Sequence, residues 1–277
     1  MIEHIFFMSY IITTRFTNAN RFFHKIFLLH HVFFVRIVNT MKYTDAHCHI
    51  KPNVFSNPNV VGRICNATQE SEWAVFAENS GDETFTSIGV HPWYITSVQN
   101  GWQSRMAEIL RQNQTVMVGE IGLDKYHADM PTQIQMFIEQ MEMAHDFRRP
   151  VHLHCVGAWD KMLHILKEHK NALPPAILAH GFSGDQDLIE KLANEYNMFF
   201  SYHASDNATD GLVARVLATP NDKLLIESDT FDTDNQIQVL NETTERLSEI
   251  LCAASDEICE QTNTNFQRIT SYVRTID

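Results

Sequence analysis

The chain has 277 residues, with 34 acidic and 21 basic side chains, 15 histidines and a formal net charge of −13. Apolar residues make up 44% of the chain, enough to bury a core, which excludes global disorder. The acidic balance argues against a general nucleic-acid coat protein, because such proteins neutralise phosphates with many lysines and arginines.

The first 40 residues differ in composition from the rest of the chain. They hold eight of the 18 phenylalanines, no glycine or proline, and four basic side chains against one acid. Their apolar stretch, residues 26–35, is too short to span a membrane. Basic residues precede it, as in a secretory signal, but no small-residue cleavage site follows. We expect residues 1–40 to be a mis-assigned start, with Met41 as the initiator, or an unstructured extension. Residues 41–277 are expected to form a single domain.

After Met41, short runs rich in β-branched or aromatic residues predict eight strands. These runs are 43–47, 60–65, 85–90, 115–120, 150–154, 176–180, 198–203 and 223–227. Apolar residues at helical spacing predict helices over 131–147, 159–166 and 188–196, and residues 245–272 predict two closing helices. Strands that alternate with helices in a domain of this length predict an α/β fold, the TIM (β/α)8 barrel.

The five cysteines are odd in number and scattered, without a CxxC pair. This pattern argues against a disulfide framework and indicates a reducing compartment. We therefore expect a cytoplasmic protein.

Ionisable side chains gather at the C-terminal ends of the predicted strands, where barrel enzymes have their active sites. His47 and His49 leave the first strand on the same side, because side chains alternate along a strand, and two such imidazoles can share a metal ion. The other candidates are Glu120 at the fourth strand, His154 at the fifth, His180 at the sixth and Asp229 at the eighth. Burying six such groups without a compensating ion is costly, so the pattern predicts a divalent metal centre. Mixed nitrogen and oxygen donors suit zinc, manganese or cobalt, and the carboxylates also allow magnesium.

Six motifs, by their order and spacing, resemble the TatD family of metal-dependent hydrolases within the amidohydrolase-like barrels. The motifs are TDAHCH at 44–49, GVHPW at 89–93, VGEIGLD at 118–124, PVHLH at 150–154, AHGFSG at 179–184 and LIESD at 225–229. A seventh segment, TNTNF at 262–266, is similar to the last helix of the family. The resemblance implies a TIM barrel of the metallo-dependent hydrolase type.

The resemblance also implies roles for individual residues. One divalent ion would be held by His47, His49, Glu120 and Asp229. A second would be held by Glu120, His154 and His180, with Glu120 bridging the two ions. Asp229 would also orient or deprotonate the attacking water, and His91 would lie at the rim and contact substrate.

The family is chiefly known for deoxyribonucleases and related phosphodiester hydrolases. The resemblance therefore implies two divalent metal ions, magnesium, manganese or zinc, and DNA or a small phosphoester as substrate. No membrane and no obligate protein partner is indicated.

Two departures from the family pattern concern the substrate. The family usually has an arginine two positions after the fifth-strand histidine, and this chain has Val156. The segment after Asp229, normally proline-rich, is 230–234 with the sequence TFDTD. The loss of an arginine that could grip phosphate with two hydrogen bonds weakens the case for DNA more than the case for metal-dependent hydrolysis.

Two other functions stay open at this point. An amidohydrolase would act on an amide or a lactone, and many such barrels bridge their metals with a carboxylated lysine. The fourth strand offers Glu120 and no lysine at that place, which favours the nuclease-like branch. A metal-binding barrel without catalysis is the second alternative.

Four residues near these positions have secondary roles in this interpretation. Glu227 is predicted to accept a hydrogen bond from a ligand histidine, and Asp45 to lie one layer below His47. His152 is predicted to be an inner-layer group, and His127 a solvated one.

Overall fold

Eight strands follow one another around a parallel sheet in the order of the chain. The computed structural model describes residues 41–55, 57–127, 129–204 and 210–274. The strands are β1 Tyr43–Cys48, β2 Val60–Asn66, β3 Thr84–Ile88, β4 Val116–Asp124, β5 Val151–Val156, β6 Ile177–Ala179, β7 Met198–Tyr202 and β8 Leu224–Ile226. Each strand pairs in parallel with the next one. The predicted TIM-type barrel is confirmed.

The barrel is nearly closed where the segment after β8 meets β1. The amide of Asp229 donates to the carbonyl of His47 at 3.0 Å, and the amide of His49 donates to the carbonyl of Thr230 at 2.8 Å. Two residues before His47 on β1, Asp45 accepts hydrogen bonds from the amide and the hydroxyl of Ser228, at 2.9 and 2.6 Å. We call this contact between β1 and residues 228–230 the seam.

Helices connect most of the strands and cover the sheet. The α-helices within the described residues are α1 Trp73–Glu78, α2 Trp102–Gln112, α3 Met130–Asp146, α4 Trp159–Glu168, α5 Ile189–Tyr196, α6 Asp210–Ala218, α7 Thr233–Leu251 and α8 Ser255–Arg274. Each of α1 to α6 lies between two consecutive strands, the connection that a parallel sheet requires. None of the helices within the described ranges is long and apolar enough to cross a membrane.

One cluster of buried apolar side chains joins the sheet to the last helix. It contains residues of β1 to β4 and β6 to β8, among them Phe85 and Leu178. Phe266, Ile269 and Val273 of α8 belong to the same cluster. Burial of these side chains removes apolar surface from water, and this holds α8 against the strands. The rigid sheet in turn fixes the positions of the side chains at its C-terminal edge.

The structure corrects several predicted boundaries. β4 continues to Asp124, so Glu120 lies inside the strand and not at its end. His154 lies within β5, His180 directly follows β6, and Asp229 lies three residues beyond β8. The first closing helix begins at Thr233, well before the predicted 245, because the side chain of Asp232 caps it by accepting from the amide of Asp234. Residues 1–40, for which we expected a mis-assigned start or an extension, lie outside the described residues.

Candidate metal centre

His47 of β1, His49 directly after this strand, and two carboxylates form one half of a cluster at the mouth of the barrel. His47 and His49 point to the same side, as their alternation along the strand predicts, and their Nε2 atoms are 3.1 Å apart. Both Nε2 atoms lie 3.7 Å from Oε2 of Glu120. Oδ1 of Asp229 lies 3.5 Å from His47 Nε2 and 3.3 Å from His49 Nε2. The seam therefore brings Asp229 onto the two histidines at the end of β1.

The other oxygen of Glu120 faces a second set of histidines. Its Oε1 lies 2.9 Å from His154 Nδ1 and 2.7 Å from His180 Nε2, and these two nitrogens are 3.1 Å apart. His91, expected at the rim, is buried, and its Nε2 lies 3.3 Å from the same Glu120 oxygen. The structure thus brings together all seven residues that the sequence singled out. The Glu120 carboxylate stands in the middle, with one oxygen toward each set.

The charges in this cluster are strongly coupled. Burial alone raises the pKa of the Glu120 carboxyl, but His180, His91 and His47 around it hold that pKa well below its usual range. Burial alone lowers the pKa of His180, but Glu120 and Glu227 raise it well above the ordinary value. Burial likewise opposes the ionisation of Asp229, yet His47 and His49 lower its pKa. Both carboxylates are therefore ionised, and they favour positive charge between them.

A second layer of contacts orients these histidines. The side-chain amide nitrogen of Asn66 lies 3.1 Å from His47 Nδ1, and the backbone carbonyl oxygen of Asn66 lies 3.2 Å from His49 Nδ1. Each imidazole thus has its Nδ1 engaged by Asn66 and its Nε2 directed into the cluster. Glu227, predicted as an acceptor for a ligand histidine, lies 3.7 Å from His180 Nδ1, too far for a hydrogen bond. Its carboxylate acts on His180 by charge, and its Oε1 accepts from the amide of Gly181 at 2.9 Å.

Asp124 is a site residue that the sequence analysis did not single out. Its Oδ2 lies 3.4 Å from His154 Nε2, 2.7 Å from the indole nitrogen of Trp93, and 3.1 Å from His127 Nδ1. His127 is exposed, as expected of a solvated residue, and its Nδ1 also approaches Asp124. The sequence did offer a signal for this residue. Asp124 stands four residues after Glu120, and an even spacing along one strand places both side chains on the same face.

His152 lies beneath the cluster. Its ring centroid is 5.0 Å from that of His47, and neither of its ring nitrogens has a hydrogen-bond partner among the described residues. Burial, followed by the nearby His47, lowers its pKa well below the ordinary value. His152 is therefore a neutral packing group, in agreement with its predicted place in an inner layer.

The donor atoms suit divalent cations. Two imidazole nitrogens stand near Glu120 Oε2, and Asp229 Oδ1 lies within 3.5 Å of both of those nitrogens. Around Oε1 stand three imidazole nitrogens. Borderline divalent metals such as zinc and manganese bind such mixed nitrogen and oxygen sets. Imidazole nitrogens only 3.1 Å apart either share a proton or face a common cation. The residues present therefore fit a divalent cation in each half of the cluster.

Comparison with known proteins gives a family and several relatives. A family model described as TatD related DNase matches residues 44–271. The chain is similar to the 3'-5' ssDNA/RNA exonuclease TatD of Cronobacter sakazakii, with 30% identity over 167 residues. That alignment covers 58% of this chain and 62% of the relative. The human 3'-5' RNA nuclease TATDN2 is 27% identical over 156 residues, which is 53% of this chain and 20% of the human protein. The chain therefore spans less than two thirds of the length of each of these two relatives.

Solved structures share the fold. The hydrolase TatD family protein from Entamoeba histolytica has a TM-score of 0.69 and 16% identity, with 83% of this chain and 98% of that one covered. The TatD homolog YJJV from Escherichia coli has a TM-score of 0.65 and 23% identity, with 82% and 97% covered. At these identities the likeness supports the barrel fold alone.

Proposed function

The chain belongs to the TatD related DNase family, and on that premise we propose that it is a divalent-metal-dependent hydrolase that cleaves phosphodiester bonds of single-stranded DNA or RNA. The observation that carries the proposal is the position of Glu120, whose two carboxylate oxygens face two separate groups of imidazoles. A carboxylate so placed can bridge two cations, the arrangement used in two-metal hydrolysis of phosphodiesters. The names of the relatives, which act on ssDNA and RNA, supply the substrate class.

We assign the residues as follows. One cation would be held by His47, His49, Glu120 and Asp229, and the second by Glu120, His154 and His180. When bound, such cations polarise a phosphoryl oxygen and acidify a water molecule. Magnesium, manganese and zinc are the candidates, because the site offers both carboxylates and imidazoles.

Asp229 differs from Glu120 in its access to solvent. Its side chain is 45% exposed, whereas that of Glu120 is 2% exposed. A water molecule can reach the Asp229 carboxylate from the open end of the barrel. Because His47 and His49 lower its pKa, Asp229 is a weak base that orients the attacking water by accepting a hydrogen bond. Glu120 is the buried shared ligand, and His91, 3.3 Å from it, would contact the substrate phosphate.

The test is cleavage of single-stranded DNA and RNA oligonucleotides labelled at either end, by protein freed of metal and then given Mg²⁺, Mn²⁺ or Zn²⁺. We expect cleavage only with a divalent cation, and its loss in Glu120→Gln and His154→Ala. His164→Ala is the matched control, because His164 is an exposed residue of α4 away from the cluster. Elemental analysis of the loaded protein should find two ions per chain. Full metal-dependent turnover in Glu120→Gln would contradict the assignment.

We also propose that the protein works in a reducing compartment such as the cytoplasm. All five cysteines are free thiols, and four of them are buried. Two of the buried ones, Cys48 and Cys65, have sulfur atoms only 3.8 Å apart and yet form no disulfide. Fractionation of cells that produce the tagged protein tests the proposal, and recovery from the medium would contradict it.

A further inference from the structure

Two exposed aromatic rings lie against histidines of the site. Phe231 is 74% exposed, and its ring stacks on that of His49 with centroids 4.6 Å apart and planes 18° apart. Trp93 is 50% exposed and stacks on His127 with centroids 4.6 Å apart and planes 23° apart. Each ring has one face covered by an imidazole and leaves the other face to solvent. We call these two outer ring faces the platforms.

The platforms stand on two sides of the candidate metal centre. Phe231 belongs to the segment after β8, which touches β1 at the seam. Trp93 follows β3, and its partner His127 follows β4. In an eight-stranded barrel with strands in sequence order, β4 and β8 are on opposite sides of the mouth. Glu120 and its imidazoles therefore lie between the platforms.

The contacts of each ring tie it to the cluster. Phe231 lies directly on His49, a candidate ligand. The indole nitrogen of Trp93 donates to Asp124 at 2.7 Å, and the same carboxylate lies 3.4 Å from His154. Trp93 also meets His91 edge-on, with centroids 5.1 Å apart. Large apolar rings held in water beside such a centre are surfaces for a ligand with flat apolar faces.

We propose that Phe231 and Trp93 are base-stacking platforms, which hold the nucleobases on either side of the phosphate that lies at the metal centre. The proposal rests on the proposed function, because nucleobases flank the phosphate only in a nucleic-acid substrate. Every base has a π face, so aromatic stacking binds single strands with little regard to sequence. In a duplex those faces are covered by neighbouring bases. The platforms therefore select single-stranded over paired substrate.

Stacking also suits the charge of this chain. The net charge is −13, and Val156 stands where the family usually has an arginine. Lys125, directly after β4, does supply a positive charge, and its Nζ lies 4.9 Å from the centre of the Tyr126 ring. An acidic protein that lacks this arginine attracts the phosphate backbone weakly. Contacts to the bases would then carry a larger share of the affinity.

The experiment compares two strands of equal charge. One is a single-stranded decathymidylate, and the other is the same phosphate backbone with every base removed, made of tetrahydrofuran abasic units. Both strands carry phosphorothioate linkages that resist cleavage, and affinities are measured with the full, metal-loaded chain by anisotropy of a dye on the strand. The wild type is expected to bind the strand with bases more tightly, and Phe231→Leu and Trp93→Ala should each reduce that preference by about 5- to 100-fold.

Three further variants separate stacking from structure. Phe231→Trp should keep the preference, because it restores an aromatic face, and Trp93→Phe should keep most of it while losing the bond to Asp124. Leu217→Ala, which removes a 61% exposed apolar side chain at the end of α6, should leave the preference unchanged. A strand that carries 2-aminopurine gives a direct signal, because its fluorescence should be quenched on binding to wild type and less so with Phe231→Leu.

The outcomes are distinguishable. Equal affinity for the two strands, or a preference that survives in Phe231→Leu and Trp93→Ala, would overturn the platforms even if the protein cleaves DNA. A base-dependent affinity lost in those two variants would establish the platforms. If the same protein, loaded with metal, cleaved no unmodified strand, the proposed hydrolysis would fail and the base-binding surface would stand.

Discussion

Asp124 offers a sharp test of how the second half of the centre is built. The proposed ligand atom of His154 is Nδ1, so its Nε2 carries a proton toward Asp124 Oδ2. The same oxygen accepts from Trp93 at 2.7 Å, and Oδ1 accepts from the amide of Tyr126 at 2.8 Å. Asp124→Asn can keep the bond from Tyr126 but then places an NH2 group against the two donors at Oδ2. His154 loses its orientation and a negative neighbour.

Asp124→Asn is expected to weaken the binding of one of the two cations. Partners that orient a metal-bound histidine are typically worth about 10- to 100-fold in metal affinity, or about 1.4–2.7 kcal/mol. In Asp124→Asn we expect the affinity for the cation at His154 and His180 to fall by this factor. Affinity for the cation at His47 and His49 should change by less than about threefold, since Asp124 contacts neither residue.

Calorimetric titration of metal-free protein with Mn²⁺ or Zn²⁺ resolves the two steps. Asp160→Asn is the matched control, because Asp160 is a 78% exposed residue of α4. Thermal melts in EDTA verify that each variant is folded. The reasoning is refuted if both steps keep their wild-type affinities in Asp124→Asn, or if the step assigned to His47 and His49 is the one that weakens.

Three other predictions concern charge and packing. Burial raises the pKa of Asp45 from 3.8 to about 6, despite hydrogen bonds from Ser228 and Gln236, so Asp45 stabilises the fold below pH 4 and this contribution is lost as pH rises through 6. The free energy of unfolding of wild type minus that of Asp45→Asn should therefore fall by about 2.4 kcal/mol between pH 4 and pH 7 in EDTA, and a flat difference in urea melts would contradict this. Glu227→Gln removes a negative neighbour and should lower the pKa of His180 in metal-free protein, as followed by imidazole NMR; an unchanged value would mean that Glu120 alone sets it. Leu178→Ala empties a fully buried position and should cost about 2–5 kcal/mol in urea melts without weakening metal binding, so a loss below 1 kcal/mol would speak against the core described above.

The strands and the principal site residues were predictable because two simple signals agree. Runs of β-branched and aromatic residues mark the eight strands, and the ionisable residues follow those runs. Since parallel strands all end at one edge of a barrel, such residues must converge there. The prediction that His47 and His49 share one face needed only the alternation of side chains along a strand. None of this required the identity of the substrate.

Two predicted boundaries, the end of β4 and the start of α7, were wrong for physical reasons. The β-rich run predicted a strand that stops at Glu120, but β4 continues through Gly119 and Gly122, which take positive φ inside the strand, and its pairing with β5 shifts register between Val118 and Ile121. The first turns of α7 are polar, so their apolar period is weak. One of those polar residues, Gln236, is fully buried because it donates to Asp45 at 2.8 Å. A long-range hydrogen bond of this kind leaves no local sequence pattern.

The platforms and Asp124 were hidden for a related reason. Phe231 stacks on His49 only because the seam brings residues 228–230 against β1. Asp124 lies at the end of a strand, as many structural aspartates do, and its role follows from Trp93 and His154, which come from other segments of the chain. Contacts between distant segments have to be seen in three dimensions.

The seam has a consequence for how the site comes into existence. His47 and Asp229 belong to the first strand and to the segment after the last one, and the Asp45–Ser228 bond beside them spans 183 residues of sequence. A growing chain therefore has no complete donor set until nearly all of the barrel has been synthesised. A cation bound by His47, His49 and Asp229 would act as a non-covalent cross-link that closes a long loop of the chain, and closure of long loops is where such links stabilise most. Metal binding would then report barrel closure itself, and removal of the metal would loosen the molecule first at the seam.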